Sequence, residues 1–336
     1  MFEIVVFSFT LGSVLILNFF CKKKNFLLDV KYSDHKKLTS LDKVPLIGGL
    51  VILLSSLIFL PSSHLFFKIT LITIFLIGFL SDINYLKSPI KRLVLQFFSI
   101  AFFIVITDTH VSSIRIPYID YLFENFYFKY LFTIICLTIL INGTNFIDGL
   151  NTLSIGYYLL VILTVFYINF EYNLGFEING FKIIGLILMV LFFFNVFGKL
   201  YLGDAGAYLV SFYTGIQLIN ISNFNQTISP YFIALLLWYP AYENLFSIIR
   251  KKLSNSSVIN ADNKHLHQLI FLFLKKKRIP QFFSNFFAAL IINMFNLIVF
   301  YLATENMYQT KNLIIIIICN LMIYNLVYLH LKKSIR

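Results

Sequence analysis

The sequence predicts an all-α integral membrane protein, a bundle of about eleven transmembrane helices with its N-terminus outside and its C-terminus in the cytoplasm. Three observations predict this class. Of the 336 residues, 59% are hydrophobic and 12% are charged, with a mean hydropathy of +0.84, whereas about a quarter of a soluble domain is charged. Apolar runs of about 17–25 residues, the length of a bilayer crossing, recur along the chain. Polar residues are concentrated in short clusters between these runs.

The apolar runs define the helices one by one. No water satisfies a free backbone group inside a bilayer, so each run is expected to form a helix. The first run is too long for the core of a signal peptide and lacks a positive leader, so we expect it to stay as an anchor. The runs lie at residues 2–20, 44–61, 64–81, 92–107, 127–143, 150–168, 181–198, 205–221, 229–249, 283–303 and 312–331.

Basic residues indicate the orientation. With the N-terminus outside, 22 of the 27 lysines and arginines fall in the inner loops, which is the bias that orients membrane proteins. The net charge of +12 follows from this topology, and we expect no nucleic-acid partner. Cys21, Cys136 and Cys319 lie far apart, with neither metal-ligand nor disulfide spacing.

Polar clusters at the inner helix ends are the candidate functional residues. Ionisable and amide groups at membrane depth cost free energy and tend to be functional. Clusters on the cytoplasmic side suit an enzyme with a soluble substrate, whereas a transporter more often places polar groups at mid-span on interrupted helices. We expect a single polytopic domain, residues 1–336, with one active site formed by cytoplasmic loops near 81–92, 142–151, 198–206 and 243–278.

The first cluster is Ser81-Asp82, followed by Lys91-Arg92. A carboxylate beside Mg²⁺ and an arginine beside phosphate are ordinary pairings. A positive-inside anchor after a polar helix end has the same pattern, so this cluster alone does not decide between the two.

The second cluster, Asn142-Gly-Thr-Asn145-Phe-Ile-Asp148-Gly149, follows an apolar run. If the helix continues, Asn142, Asn145, Asp148 and Asn151 share a face, because residues three apart are neighbours on a helix. Such a face suits a metal-bound diphosphate or a nucleoside. Hydrogen bonding between membrane helices is the alternative.

The third cluster is Gly203-Asp204-Ala205-Gly206, at the start of a span. A helix N-terminus favours phosphate, but an aspartate there repels phosphate unless a cation lies between them. The pattern indicates Mg²⁺ at Asp204, with a turn and a helix cap as the alternative.

The fourth cluster extends from Trp238 to Gln268. Pro240 is expected to kink or break its span, and Glu243 lies inside an apolar helix. His265 and His267 alternate with Leu266, so they share a face in an extended segment. Their spacing differs from the i, i+4 pair of a helical zinc site.

Taken in order, the four clusters resemble the polyprenyl-phosphate N-acetylhexosamine-1-phosphate transferases, the MraY/WecA superfamily (glycosyltransferase family 4). Its Asn-x-x-Asn-x-x-Asp-Gly motif matches Asn142, Asn145, Asp148 and Gly149. Its Gly-Asp-x-Gly motif matches Gly203, Asp204 and Gly206, and its late histidine motif matches His265-Leu-His267. The segment 239–247 is similar to the branch that initiates O-antigen synthesis.

Two positions depart from the family pattern. Ser81 stands where the family usually has the first of two aspartates, and Asn151 stands where it commonly has aspartate. The first missing aspartate has been a candidate base for the lipid phosphate, which is already largely dianionic near neutral pH. An early Lys/His segment of the family corresponds only loosely to residues 34–37.

The resemblance implies transfer of a sugar 1-phosphate from a UDP-N-acetylated sugar to undecaprenyl phosphate in the bacterial inner membrane, with release of UMP into the cytoplasm. It implies Mg²⁺ at Asp204, with Mn²⁺ as an alternative. It implies catalytic roles for Asp82, Asp148, His265 and His267, and substrate binding by Asn142, Asn145, Tyr201 and Arg92. The sugar, the envelope glycan (O-antigen, capsule or related) and homodimer formation stay open.

Two other functions fit parts of the sequence. A flippase or exporter of lipid-linked sugars predicts interrupted helices in paired halves, and only the Pro240 break and mid-span residues such as Asn293 support it. A non-catalytic homologue serving as an assembly partner is suggested by Ser81 and Asn151. Formation of UMP separates both from the enzyme.

Overall fold

The predicted all-α class is confirmed. The computed structural model describes residues 1–28, 44–60, 65–254 and 263–335, which contain helices and no named strand. The α-helices of these residues are α1 (Phe2–Lys24), α2 (Gly48–Phe59), α3 (Leu65–Asp82), α4 (Pro89–Thr107), α5 (Pro117–Asp120), α6 (Phe126–Ile147), α7 (Leu153–Glu171), α8 (Asn179–Val196), α9 (Gly203–Phe224), α10 (Pro230–Leu236), α11 (Trp238–Leu253), α12 (Leu266–Lys276), α13 (Gln281–Glu305) and α14 (Thr310–Ile335).

The helices make this a multi-pass membrane protein. Within the described ranges, eight helices are long and apolar enough to cross a bilayer, or nine if the bent pair α10–α11 counts as one span. Ten of the eleven predicted spans each coincide with one helix, and the span at 229–249 coincides with the bent pair α10–α11. However, α2 has only 12 residues and α9 is not among the eight. The count of eleven and the orientation therefore stay predictions, and residues 61–63, where the second predicted span ends and the third has not begun, lie outside the described residues.

Helix α9 lies at the centre of the bundle. It packs against α2, α3 and α6, and most of its side chains are buried. Because protein rather than lipid surrounds this helix, it tolerates small and polar residues that a lipid-facing span would not. Its first residues are also close to the neighbouring backbones: a methyl group added at Gly78 of α3 would lie 2.3 Å from the Ala205 Cα.

The predicted break near Pro240 is present, three residues earlier than the proline itself. α10 and α11 meet at Leu237 with a bend of 75°. Pro240 has no N–H to donate to the carbonyl four residues before it, and that carbonyl, of Leu236, accepts a hydrogen bond from Tyr157 Oη at 2.7 Å. The break is therefore stabilised by a side chain from α7.

The helix ends opposite the predicted site also carry polar contacts, although the sequence suggested no comparable cluster there. Arg115 donates to the Thr310 hydroxyl at 2.9 Å and to the Gln226 and Thr227 carbonyls at 2.8 Å each. Asp108, just beyond α4, accepts a hydrogen bond from Tyr130, which is the main reason that the pKa of Asp108 is lowered. These bonds connect loops to helix ends across this face.

Candidate active site

The first and third clusters meet at one point. Arg92, in the first turn of α4, donates from Nη1 to Asp204 Oδ2 at 2.7 Å and to Ser81 Oγ at 2.5 Å. The Ser81 hydroxyl donates to the same Asp204 oxygen at 2.5 Å. Side chains of Arg92 and Asp204 are 23% and 18% exposed. The predicted proximity of these clusters is therefore present, as a partly exposed ion pair bridged by a hydroxyl.

Asp82 caps the N-terminus of α9. Its two carboxylate oxygens accept the backbone N–H groups of Asp204 at 2.8 Å and of Ala205 at 3.2 Å. A carboxylate at this position is favourable because the first N–H groups of a helix lack partners and carry partial positive charge. Gly203 permits the approach: its φ is +74°, and a Cβ there would lie 2.7 Å from Asp82 Oδ2. Asp82 thereby positions Asp204.

The second cluster makes contact with two helices through its amides. Asn142 donates from Nδ2 to Gln96 Oε1 of α4 at 2.8 Å. Asn145 donates to the Tyr208 hydroxyl of α9 at 3.2 Å. Both asparagines and Asp148 are half-buried, so surface remains for a ligand. Asp148 terminates α6 as its C-cap.

Asn151 does not share the face of Asn142 and Asn145, because α6 ends at Ile147 and the chain turns. The backbone N–H of Asn151 donates to Asn285 Oδ1 of α13 at 2.9 Å. The condition for one helical face to reach residue 151, a helix that continues past Asp148, is therefore not met. The Gly149 turn that ends the face also makes room for His267, whose Nε2 would lie 2.6 Å from a Cβ at Gly149.

The fourth cluster joins the second through its histidines. His265 is the N-cap of α12 rather than part of an extended segment, yet its ring stacks on that of His267, with centroids 5.7 Å apart. The His265 ring also lies 5.1 Å from that of Phe146. The two histidines thus lie on one face, as expected, but at the start of a helix. Residues 255–262, which precede the histidines in the predicted active-site segment 243–278, lie outside the described residues.

His267 is fully buried, and neither of its ring nitrogens has a hydrogen-bond partner among the described residues. Burial lowers the pKa of His267 from 6.5 to about 3, because a charged imidazole loses its hydration there. The ring is therefore neutral at physiological pH.

Tyr201 lies in the segment before α9 and ties it to the start of α2. Its backbone N–H donates to the Pro45 carbonyl at 2.9 Å, and its carbonyl accepts from Gly48 at 3.1 Å. The side chain is half-buried. Its predicted role in substrate binding stays a prediction.

A divalent cation fits these carboxylates in one particular way. No group of three His, Cys, Asp or Glu side chains able to hold a metal occurs in the described part of the chain. Mg²⁺, however, is usually bound by one or two carboxylates together with substrate phosphates. Within the described residues hydrogen bonds reach only Oδ2 of Asp204, which leaves Oδ1 for such a cation, beside Asp82.

The chain is similar to known proteins. Residues 64–222 match the family described as Glycosyl transferase family 4. The chain is 29% identical to the undecaprenyl-phosphate alpha-N-acetylglucosaminyl 1-phosphate transferase of Thermotoga maritima, over 80% of each chain. It is 23% identical to the probable undecaprenyl-phosphate N-acetylglucosaminyl 1-phosphate transferase of Bacillus subtilis, over 69% of this chain and 67% of the relative. It is 31% identical to the phospho-N-acetylmuramoyl-pentapeptide-transferase of Petrotoga mobilis, over 48% and 56%.

The family match and these relatives support the polyprenyl-phosphate hexosamine-1-phosphate transferase superfamily for this chain. The matched region of this transferase contains the first three clusters and ends before α10. The histidines and Glu243 therefore come from the part beyond the family match, and the fold brings them to Phe146 and Gly149.

Sequence reasoning missed two partners in this transferase site. Gln96, fully buried on α4, lies one helical turn after Arg92 and contacts Asn142. Tyr208, on α9 one turn after Asp204, contacts Asn145. A spacing of four residues from a predicted site residue, within an apolar helix, was the available signal for both.

Proposed function

We propose that this protein is a UDP-sugar:undecaprenyl-phosphate sugar-1-phosphate transferase that uses an N-acetylated hexosamine and starts an envelope glycan such as O-antigen or capsule. The observation that carries the proposal is the meeting of Arg92, Asp204 and the α9 N-terminus in one partly exposed cluster. Such a cluster combines the positive charge of Arg92 with Asp204 as a cation ligand, and both kinds of group recognise a diphosphate. The names of the relatives from Thermotoga and Bacillus support the acceptor lipid and the sugar phosphate.

In the proposed reaction an oxygen of undecaprenyl phosphate attacks the β-phosphorus of the nucleotide sugar. A new P–O bond forms to the lipid, the bond between the β-phosphorus and the bridging oxygen breaks, and UMP leaves with that oxygen. Positioning and charge neutralisation supply most of the catalysis in phosphoryl transfer. Bound at Asp204 beside Asp82, Mg²⁺ or Mn²⁺ would supply charge neutralisation for the diphosphate.

The side chains of the chain have separate tasks in this proposal. Arg92, whose side chain stays 23% exposed beside Asp204, binds a phosphate. Asn142, Asn145 and Asp148, all half-buried, hold the nucleotide sugar, and Tyr201 lies against the uracil. His265 and His267 are buried in this structure, so we propose that they support the phosphate site from the protein interior.

Ser81 provides no base at that position in this chain. Its hydroxyl bridges Arg92 and Asp204 and cannot remove a proton from a phosphate at neutral pH. A phosphate monoester has a second pKa of about 6, so the acceptor is already mostly dianionic. We propose that the lipid phosphate attacks without a protein base, and that the site faces the cytoplasm of a bacterial inner membrane.

The testing experiment uses membranes that contain the protein, undecaprenyl phosphate, Mg²⁺ and a panel of UDP-N-acetylhexosamines. UMP and the lipid-diphosphate sugar are measured together. Production of both in equal amounts supports the transferase, and the active donor identifies the sugar. Asp204→Asn is expected to abolish turnover.

A lipid-linked-sugar flippase or a non-catalytic homologue releases no UMP. An intact protein that releases none with any donor contradicts the proposal. Wild-type activity in Asp204→Asn contradicts only the metal role of Asp204.

A further inference from the structure

Glu243 is a buried carboxylate that accepts hydrogen bonds from three donors among the described residues. It is 1% exposed. Its Oε1 accepts from His265 Nδ1 at 2.9 Å and from the Leu266 backbone N–H at 3.3 Å, and its Oε2 accepts from the Tyr324 hydroxyl at 2.8 Å. A buried carboxylate costs much free energy unless donors surround it. The local structure is thus built around this carboxylate.

The three donors come from distant parts of the chain. Glu243 lies on α11, directly after the break, while His265 and Leu266 begin α12 and Tyr324 lies in the middle of α14. The broken span therefore directs the carboxylate at the start of α12, and the last helix of the bundle supports it from the other side.

The hydrogen bond to Glu243 places a proton on Nδ1 of the His265 ring. An ionised carboxylate is acceptor-only, so the Nδ1 that it contacts must carry a proton. Nε2 lies on the opposite edge of the ring, away from Glu243. Histidines that act in a site commonly have one nitrogen held by a carboxylate in this way, and the carboxylate sets the tautomer and the ring orientation.

We propose that Glu243 is a positioning residue that holds His265 as the Nδ1-protonated tautomer in the transferase site, with Tyr324 of the C-terminal helix fixing the carboxylate. The inference rests on the proposed function for its effect on turnover. The tautomer itself is independent of that function. Glu243 acts through His265 and touches no substrate.

The test combines a spectroscopic readout with kinetics on the full-length protein. Protein labelled with ¹⁵N-histidine is compared as wild type and Glu243→Gln, with the His265 signal among the six histidines assigned by its loss in His265→Gln. Wild type is expected to show protonated Nδ1, and Glu243→Gln a mixture of tautomers. With the active donor, kcat is expected to fall about 10–100-fold while KM for the nucleotide sugar changes little.

If Glu243→Gln does not accumulate in membranes, Tyr324→Phe takes its place in the same experiment. The expected loss of kcat in Tyr324→Phe is smaller than in Glu243→Gln. The matched control is Asn325→Ala, which removes a bond from Asn325 Nδ2 to the Tyr242 hydroxyl but leaves Glu243 and its donors intact. It is expected to retain the wild-type kcat and tautomer.

An unchanged His265 tautomer in Glu243→Gln, even with a lower melting temperature, overturns the positioning role. An unchanged kcat does so as well. If the wild-type protein makes no product, yet the His265 tautomer changes in Glu243→Gln, the proposed function is overturned and the Glu243–His265 relationship stands.

Discussion

Arg92 and Asp204 form an ion pair of 2.7 Å that joins the first turn of α4 to the first turn of α9. One guanidinium nitrogen serves both the carboxylate and the Ser81 hydroxyl. The fixed fork of a guanidinium suits this, whereas a lysine ammonium is a point charge with different reach.

The first prediction concerns removal of the positive charge of Arg92. Arg92→Ala is expected to lower kcat about 10²–10³-fold, the loss typical for one preorganised electrostatic group in an active site. Arg92→Lys is expected to recover only part of it. The neighbouring Lys91 is exposed, so Lys91→Ala provides the control and should keep the wild-type rate in the membrane assay. Equal losses in Lys91→Ala and Arg92→Ala would mean that general positive charge matters and the ion pair does not.

The second prediction concerns Ser81, the departure from the family pattern. Ser81→Asp places a second negative charge beside Asp204, whose Oδ2 lies 2.5 Å from the present hydroxyl. Like charges this close repel, and a cation relieves the repulsion. We expect a lower melting temperature than wild type in chelator and a larger gain on addition of Mg²⁺. Ser81→Ala is the control without added charge; a Mg²⁺ response equal in both variants argues against a cation at this carboxylate.

The sequence predicted the fold class and the helix positions because apolar length is a local property of the chain, and it predicted the meeting of the Ser81 and Asp204 clusters because both were assigned to the cytoplasmic ends of their spans. It did not predict that Asp82 would cap α9, because this depends on how α3 packs against a helix more than 120 residues later. The contact of Tyr324 with Glu243 could not be predicted either, because an isolated tyrosine in an apolar helix carries no local signal. Only the packing of the helices brings it to Glu243. The roles of the predicted site residues stay predictions.

The third prediction tests the amide pair of Gln96 and Asn142. Gln96→Leu keeps the bulk of a fully buried side chain but removes the oxygen that accepts from Asn142 at 2.8 Å. Since Asn142 is proposed to hold the nucleotide sugar, KM for that donor is expected to rise about 3–10-fold, in line with the loss of one hydrogen bond. Ser99→Ala on the same helix removes only a bond to the Leu95 carbonyl and should leave KM alone. A Gln96→Leu enzyme with wild-type KM would show that Asn142 needs no support from α4.

The fourth prediction is a pH dependence of stability caused by His267. Its pKa is about 3 in the folded protein, lowered mainly by burial, with Glu243 raising it and His265 lowering it further, against about 6.5 when unfolded. The unfolded chain therefore binds the proton more readily, so the contribution to stability is complete above pH 6.5 and is lost as the pH falls from there toward 3. His267→Leu has no such proton, and its melting temperature in detergent should fall less than that of wild type between pH 7.5 and about 5. Parallel curves for the two proteins would assign the acid sensitivity elsewhere.

The last prediction tests the packing that holds α9 in place. Gly78→Ala places a methyl group 2.3 Å from the Ala205 Cα and 2.5 Å from its nitrogen, both backbone atoms that cannot rotate away. Overpacking of this kind costs about 1–3 kcal/mol, and here it pushes the α9 N-terminus away from Asp82. Gly12→Ala is the matched control, because a Cβ at that helical position meets nothing within 4 Å. Replacing a helical glycine with alanine there should stabilise by about 0.5–1 kcal/mol. Melting temperatures should thus move in opposite directions, and turnover should fall only in Gly78→Ala; a stable, active Gly78→Ala protein would show that α3 and α9 need not be this close.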